Sequence, residues 1–138
     1  MREADINLGV GIILGLGGVK NSESHVEGSI RVLNELYASD IGLTVLMPQE
    51  RTALYQDMQS GTFEAPTYGQ ILREELEILK GLQLKRDTTI RTGVALPLSP
   101  MLVGSLPNGK EKLIKQVENR NNHYSEHFNT KVRANGLL

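Results

Sequence analysis

The spacing of hydrophobic positions changes character several times along this chain, and each change marks an element. From Ile6 to Leu14 the residues Ile, Leu and Val recur without helical periodicity and run into Gly15-Leu16-Gly17-Gly18, which predicts a buried strand entering a tight loop. A helix is expected next: Ser24 with Glu27 has the form of a capping box, and Val26, Ile30, Leu33 and Tyr37 keep to one helical face. Ile41 to Met47 is a second apolar run containing Val and Thr, short enough for a buried strand and stopped by Pro48. A short helical piece around Leu54 to Met58 ends at Gly61. Thr67 with Gln70, just after Pro66, forms another capping box and leads into Leu72, Leu76 and Leu79 on one face of a helix.

Thr88 to Ala95 predicts a third strand, with β-branched residues at Thr88, Thr89, Ile90 and Thr92. Leu96 to Gly109 carries prolines and glycines and reads as loop, and a last helix is expected from Lys110 to about Asn119 through Leu113, Ile114 and Val117. Strands alternating with helices argue parallel βαβ units with functional groups at the C-terminal strand ends. The expected fold is therefore α/β, a partial (β/α) barrel with about three parallel strands, occupying residues 1–118 and followed by a polar tail over 119–138. A complete (β/α)₈ barrel takes roughly 250 residues, so the chain supplies less than half of one or else a small open sheet. Either form leaves strand edges that want a partner.

Composition narrows the chemistry. The chain has 138 residues with Lys+Arg 15 against Asp+Glu 16, a net charge of -1 that gives no reason to expect a nucleic-acid partner. It has no cysteine, which removes disulfides, thiolate zinc sites, thiol nucleophiles and iron–sulfur ligation by this chain. The longest apolar stretch, Leu8 to Val19, is short for a bilayer span, is interrupted by glycines and lacks the flanks of a secretory signal. No membrane association and a cytoplasmic location are the expectations.

Three clusters qualify as candidate chemistry. The glycine loop can bring backbone N–H groups to a phosphate, carboxylate or ribose, or it can be a purely structural turn; it is not a Walker loop, since Asn21 follows Lys20. His123, Glu126 and His127 spell H-x-x-E-H, the pattern of inverted zinc proteases, but no acid follows Glu126 and the surroundings read as a solvated tail. Glu74, Glu75 and Glu77, near Arg73 and Lys80, are expected on the exposed side of their helix, and Met47 and Met58 are expected to fill the core.

Taken in order from Gly11 to Val117, these segments resemble the C-terminal portion of a radical S-adenosylmethionine domain, of the branch similar to oxygen-independent coproporphyrinogen oxidases and Elongator-type enzymes. Gly11-Ile12-Ile13-Leu14-Gly15-Leu16-Gly17-Gly18 is similar to that family's G-x-I-x-G-x-x-E strand, with Gly18 in the place of the glutamate. Leu43 to Pro48 with Thr52-Ala53-Leu54-Tyr55 resembles the next strand and its L-x-P-x-x-G-T-x-L-Y continuation, with Arg51 in the place of the glycine. Ser60-Gly61-Thr62-Phe63, Ile71 to Leu76, Thr89 to Thr92 and Leu106-Pro107 followed by Lys110 to Leu113 continue the likeness. Where related sequences read R-S-N-H-A-S-N, this chain reads Arg91-Thr92-Gly93-Val94-Ala95-Leu96-Pro97.

The resemblance implies S-adenosylmethionine as ligand, held at adenosyl-facing strand ends by Gly11, Ile13, Gly15 and Gly17 and by Val45, Leu46 and Met47, with Ile13 on the adenine side. The family's iron–sulfur cluster sits in a C-x-x-x-C-x-x-C loop that this chain lacks. The chain is then expected to be a fragment, split subunit or remnant that acts only with a cysteine-bearing radical S-adenosylmethionine half, or as a homo-oligomer. The alternative expectation is a non-enzymatic module docking through strand edges and a Leu-rich helix face.

Overall fold

The computed structural model describes residues 6–94, 101–123, 126 and 128–134. Strands β1 (Gly9–Leu14), β2 (Asp40–Val45) and β3 (Thr88–Val94) are parallel neighbours, and β4 (Leu102–Leu106) lies antiparallel beside β3. Spatial order in this open, four-stranded sheet equals chain order, β1-β2-β3-β4. The helices are α1 (Ser22–Glu35), α2 (Ala53–Ser60), α3 (Tyr68–Gly81) and α4 (Lys110–His123). The α/β class and the first three strands match the hydrophobic pattern.

Burial alternates along the strands. Leu14, Ile41, Leu43, Val45, Ile90 and Leu106 point into one core with Val26 and Leu33 of α1, Ile71, Ile78 and Leu79 of α3, and Leu113 and Val117 of α4. Helices α1, α3 and α4 therefore cover one face of the sheet. The opposite face, where Gly9, Gly11, Ile13, Asp40, Gly42, Thr44, Thr89, Arg91, Val103 and Ser105 fall in the alternation, is half-buried to exposed. For α1 and α3 the shared side follows from sequential order, because right-handed crossovers that step the same way lay their helices on the same side, and α4 joins them by packing on β4.

The fourth strand falls inside the stretch expected to be loop. Leu102 and Leu106 alternate with exposed Val103 and Ser105, and the glycine between them has a packing reason: a Cβ on Gly104 would lie 3.1 Å from the Leu113 side chain. The glycine that read as a breaker is what lets α4 sit close on β4.

Helix starts differ in how faithfully they follow the expected caps. At α3 the Thr67 hydroxyl accepts from the Gln70 N–H at 3.1 Å, as expected, but the Gln70 side chain donates instead to the Gly18 carbonyl at 2.8 Å. At α1 the helix begins at Ser22, ahead of the Ser24–Glu27 box, and its N-cap Asn21 makes no side-chain cap. The turn bond from Asn21 N–H to the Gly17 carbonyl, 3.1 Å, brings the chain into helix before Ser24 is reached.

The segment expected to be a solvated tail is packed where it is described. Arg120 and Asn121 of the longer α4 are buried, and Val132 is 2% exposed. The Thr130 and Phe128 carbonyls accept the Tyr68 and Gly69 N–H groups, each at 2.9 Å, and Val132 N–H donates to the Pro66 carbonyl. These residues satisfy donors that the first turn of α3 would otherwise leave open. The Leu-rich face of α3 is also internal, with Leu72 and Leu79 in the core, so it is not free to dock. No helix among the described residues is long and apolar enough to cross a membrane.

Candidate functional site

The C-terminal ends of β1 and β2 open at the same end of the sheet, where Ile13 pairs with Thr44 on the bare side, and behind them the start and middle of the two strands carry glycine on that face. Gly11 pairs with Gly42 across β1 and β2, and Gly9 precedes them on the same face. A Cβ built on Gly9, Gly11 or Gly42 meets nothing within 4 Å. Glycine inside a strand costs roughly 0.5–1 kcal/mol relative to alanine, and no contact among the described residues requires it at these positions. Such glycines mark close approach by something outside the strand, a ligand or another backbone.

Ile13, 42% exposed, stands on this face beside the floor, and Met47, 43% exposed, follows the end of β2. Met47 is thus not core filler. Its position two residues past Val45 lies beyond the strand whose alternation would have turned it inward. Met58 is not core either, since α2 has no buried residue.

The remaining residues drawn from the resemblance have structural tasks on the helix side. Gly15 is left-handed at φ 87, and a Cβ there would press on Ile71 and Pro66 at 3.0 and 3.1 Å. Gly17 lies so close to the start of α1 that a Cβ would come within 2.6 Å of the Asn21 carbonyl. Val45 and Leu46 are each 5% exposed, and Leu46 N–H extends the β1–β2 pairing to the Leu14 carbonyl at 2.9 Å. Of the seven positions, the structure places Gly11 and Ile13 on the open face, leaves Met47 exposed beyond the end of β2, and uses Gly15, Gly17, Val45 and Leu46 to build the turn and strand ends.

Two of the departures from the resemblance, Gly18 and Arg51, have local explanations of opposite kind. Gly18 is left-handed at φ 65, and a side chain there would collide with the Glu64 carbonyl and the Phe63 ring, both 2.9 Å from a built Cβ. A glutamate does not fit this loop as it is folded. Arg51 is left-handed at φ 68, the conformation for which the glycine of the related pattern is suited and arginine is not.

A carboxylate nevertheless reaches the glycine loop, from a residue expected on a solvated face. Glu74, 1% exposed, accepts the Gly15 N–H at 2.9 Å and the Ser22 hydroxyl at 2.7 Å. The loop amide that could have met a ligand anion is held by the chain's own acid. Glu75, also 1% exposed, pairs with the Arg120 guanidinium and accepts the Thr92 hydroxyl. Burial pushes the Glu75 carboxyl above its ordinary range, against the opposing pull of the Arg120 charge and the hydrogen bonds to it.

Both acids are inside because α3 is flanked by α1 and α4, so its buried arc is wide, whereas Arg73, Glu77 and Lys80 are exposed as expected. Consecutive glutamates on α3 thus tie two strand ends: Glu74 holds the turn after β1, and Glu75 holds Thr92 near the end of β3. Sequence reasoning also missed His25, whose Nε2 lies 2.9 Å from the Ile13 carbonyl. Its position seven residues past Gly18, in the first turn of α1, was the available signal.

His123 ends α4, and His127 lies outside the described residues, as do Ala95, Leu96 and Pro97. Among the described residues no group of three His, Asp or Glu side chains gathers as a metal site. The chain's donor set does not fit an iron–sulfur cluster, because it contains no cysteine. The glycine floor beside Ile13 is open space at each position where a side chain would stand. No family model matches the chain, and no curated protein or solved structure matches it with significance.

Proposed function

We propose that this chain is the late-strand part of a radical S-adenosylmethionine-type barrel, a split subunit or remnant, which retains a seat for an adenosyl group and cannot cleave it unaided. The observation that carries this reading is the Gly9, Gly11 and Gly42 floor, for which the chain itself has no steric use. Sequential parallel strands with helices on one side are the arrangement of a barrel wall, in which the bare face would line the interior. A flat heteroaromatic ring can lie against glycine backbone where any side chain would hold it off, and Ile13 and Met47 offer apolar contacts at its edge. Reductive cleavage requires a cluster, hence a cysteine-bearing partner.

Calorimetric titration of the folded chain with S-adenosylmethionine tests the reading, with Gly11→Val as the variant. Saturable binding by the parent and its loss in the variant, both with unchanged circular dichroism, is the expected outcome. Equal binding by the two, or no binding by a folded parent chain, overturns it.

A further inference from the structure

We infer that the helix side of the fold carries a small-molecule site, a cavity between α3 and α4 that takes an apolar zwitterion of the amino-acid class. It lies on the side of the sheet opposite the glycine floor, so it goes beyond the adenosyl reading and does not rest on it. The cavity measures about 260 Å³, just below the roughly 300–1,000 Å³ of pockets that enclose drug-sized ligands. Its occupant is therefore one small molecule.

A buried donor without an acceptor points to a ligand. Asn121 lines the cavity and is 5% exposed, and its carboxamide oxygen is taken by Arg120 Nε and Nη2 at 3.2 and 3.0 Å. Its Nδ2 makes no hydrogen bond of normal geometry. The Glu75 carboxylate beside it already accepts from Arg120 and Thr92. An amide nitrogen carries two N–H groups, so even where one leans toward Glu75 the other is left for the cavity. Leaving such a donor unmet is destabilising, and a carboxylate oxygen in the cavity would meet it.

The remaining walls define the rest of the ligand. Leu72 and Leu76 of α3 and Phe128 of the final segment make an apolar wall. Arg73 of α3 and Glu118 of α4 line the same cavity, both exposed, and neither side chain has a partner among the described residues. Two opposite charges over an apolar wall match a molecule that carries both a carboxylate and an ammonium on an apolar body. The carboxylate goes to Arg73 and the Asn121 N–H, the ammonium to Glu118. A plain carboxylic acid would face Glu118 with its own sign of charge, and a plain amine would face Arg73 in the same way.

The test is a heteronuclear NMR titration of the full chain with L-leucine and, separately, with L-phenylalanine. The expected result is saturable shifts of the Asn121 side-chain amide and the Leu76 methyl groups with at least one of the two, and none with N-acetyl-leucine amide, the uncharged analogue. Arg73→Gln and Glu118→Gln should each weaken binding by about tenfold or more, the usual scale for losing a hydrogen bond to a charged group. Glu77→Gln, exposed on α3 outside the cavity, should leave binding unchanged. No shift at either reporter with either amino acid overturns the inference, as does equal binding of the uncharged analogue. So does parent-like binding by Arg73→Gln or by Glu118→Gln, or a loss as large in Glu77→Gln.

Discussion

Replacing Arg120 by leucine should cost this fold about 3–5 kcal/mol, the usual scale for leaving one member of a buried ion pair behind. The side chains of Arg120 and Glu75 are 5% and 1% exposed, so water cannot stand in for the lost partner. Glu75→Leu should cost a similar amount, since it strands a guanidinium whose Nη1 has no partner among the described residues. The double variant Glu75→Leu with Arg120→Leu removes both charges. It leaves the Thr92 hydroxyl and the Asn121 carboxamide oxygen short of a partner, a residual loss of about 1–3 kcal/mol. The cycle should therefore show a coupling of several kcal/mol. Against a total stability of about 5–15 kcal/mol, each single variant removes about a fifth or more, readable in urea titrations followed by circular dichroism. The exposed Arg91–Asp40 pair is the internal control, where Arg91→Leu should cost under about 1 kcal/mol. Single losses at Glu75 and Arg120 as small as that, or a double variant as costly as the two singles together, would refute the claim that this pair is a desolvated brace.

Further outcomes follow from the same geometry. Because the Glu75 carboxyl is raised by burial, the folded state favours its protonated form; that contribution is full below the ordinary carboxylate range and is lost as pH rises through the raised value. Urea midpoints should fall over that rise, and Glu75→Gln should flatten the dependence. Gly104→Ala should destabilise by about 1–3 kcal/mol against Leu113, whereas Gly11→Ala, with open space, should be neutral or stabilise the chain by up to about 1 kcal/mol; thermal melts of the pair check the contrast. Arg51→Gly should raise stability by about 0.5–1 kcal/mol in the same assay, through relief of a left-handed arginine. Val132→Ala should cost about 1–2 kcal/mol, and a change near zero would mean that the final segment is not part of the core.

The parallel strands were legible because β-branched runs at Ile41 to Val45 and Thr88 to Thr92 stand between glycine and proline punctuation, and the start of α3 because Thr67 does what a cap does. β4 was hidden because Gly104 and Pro107 carry turn chemistry, and nothing in the sequence says that Leu113 needs that glycine's space. Glu74 and Glu75 were misplaced because charge outweighed position. Ile71 and Ile78 lie seven residues apart, two helical turns, and the acids fall midway along that buried stripe. For the candidate site, Gly11 and Ile13 were legible as strand residues, but the side each faces depends on the phase of the alternation. That phase is set by Leu14 entering the core.

The backbone bonds from Tyr68 and Gly69 to Thr130 and Phe128 also bear on the order of assembly. As the chain leaves the ribosome, β1, β2 and β3 can meet before β4 and α4 exist, yet the first turn of α3 must wait for residues made after α4. A helix in the middle of the fold is therefore finished by a segment that follows every described strand. A frameshift or early stop beyond α4 would loosen a helix whose own codons are untouched.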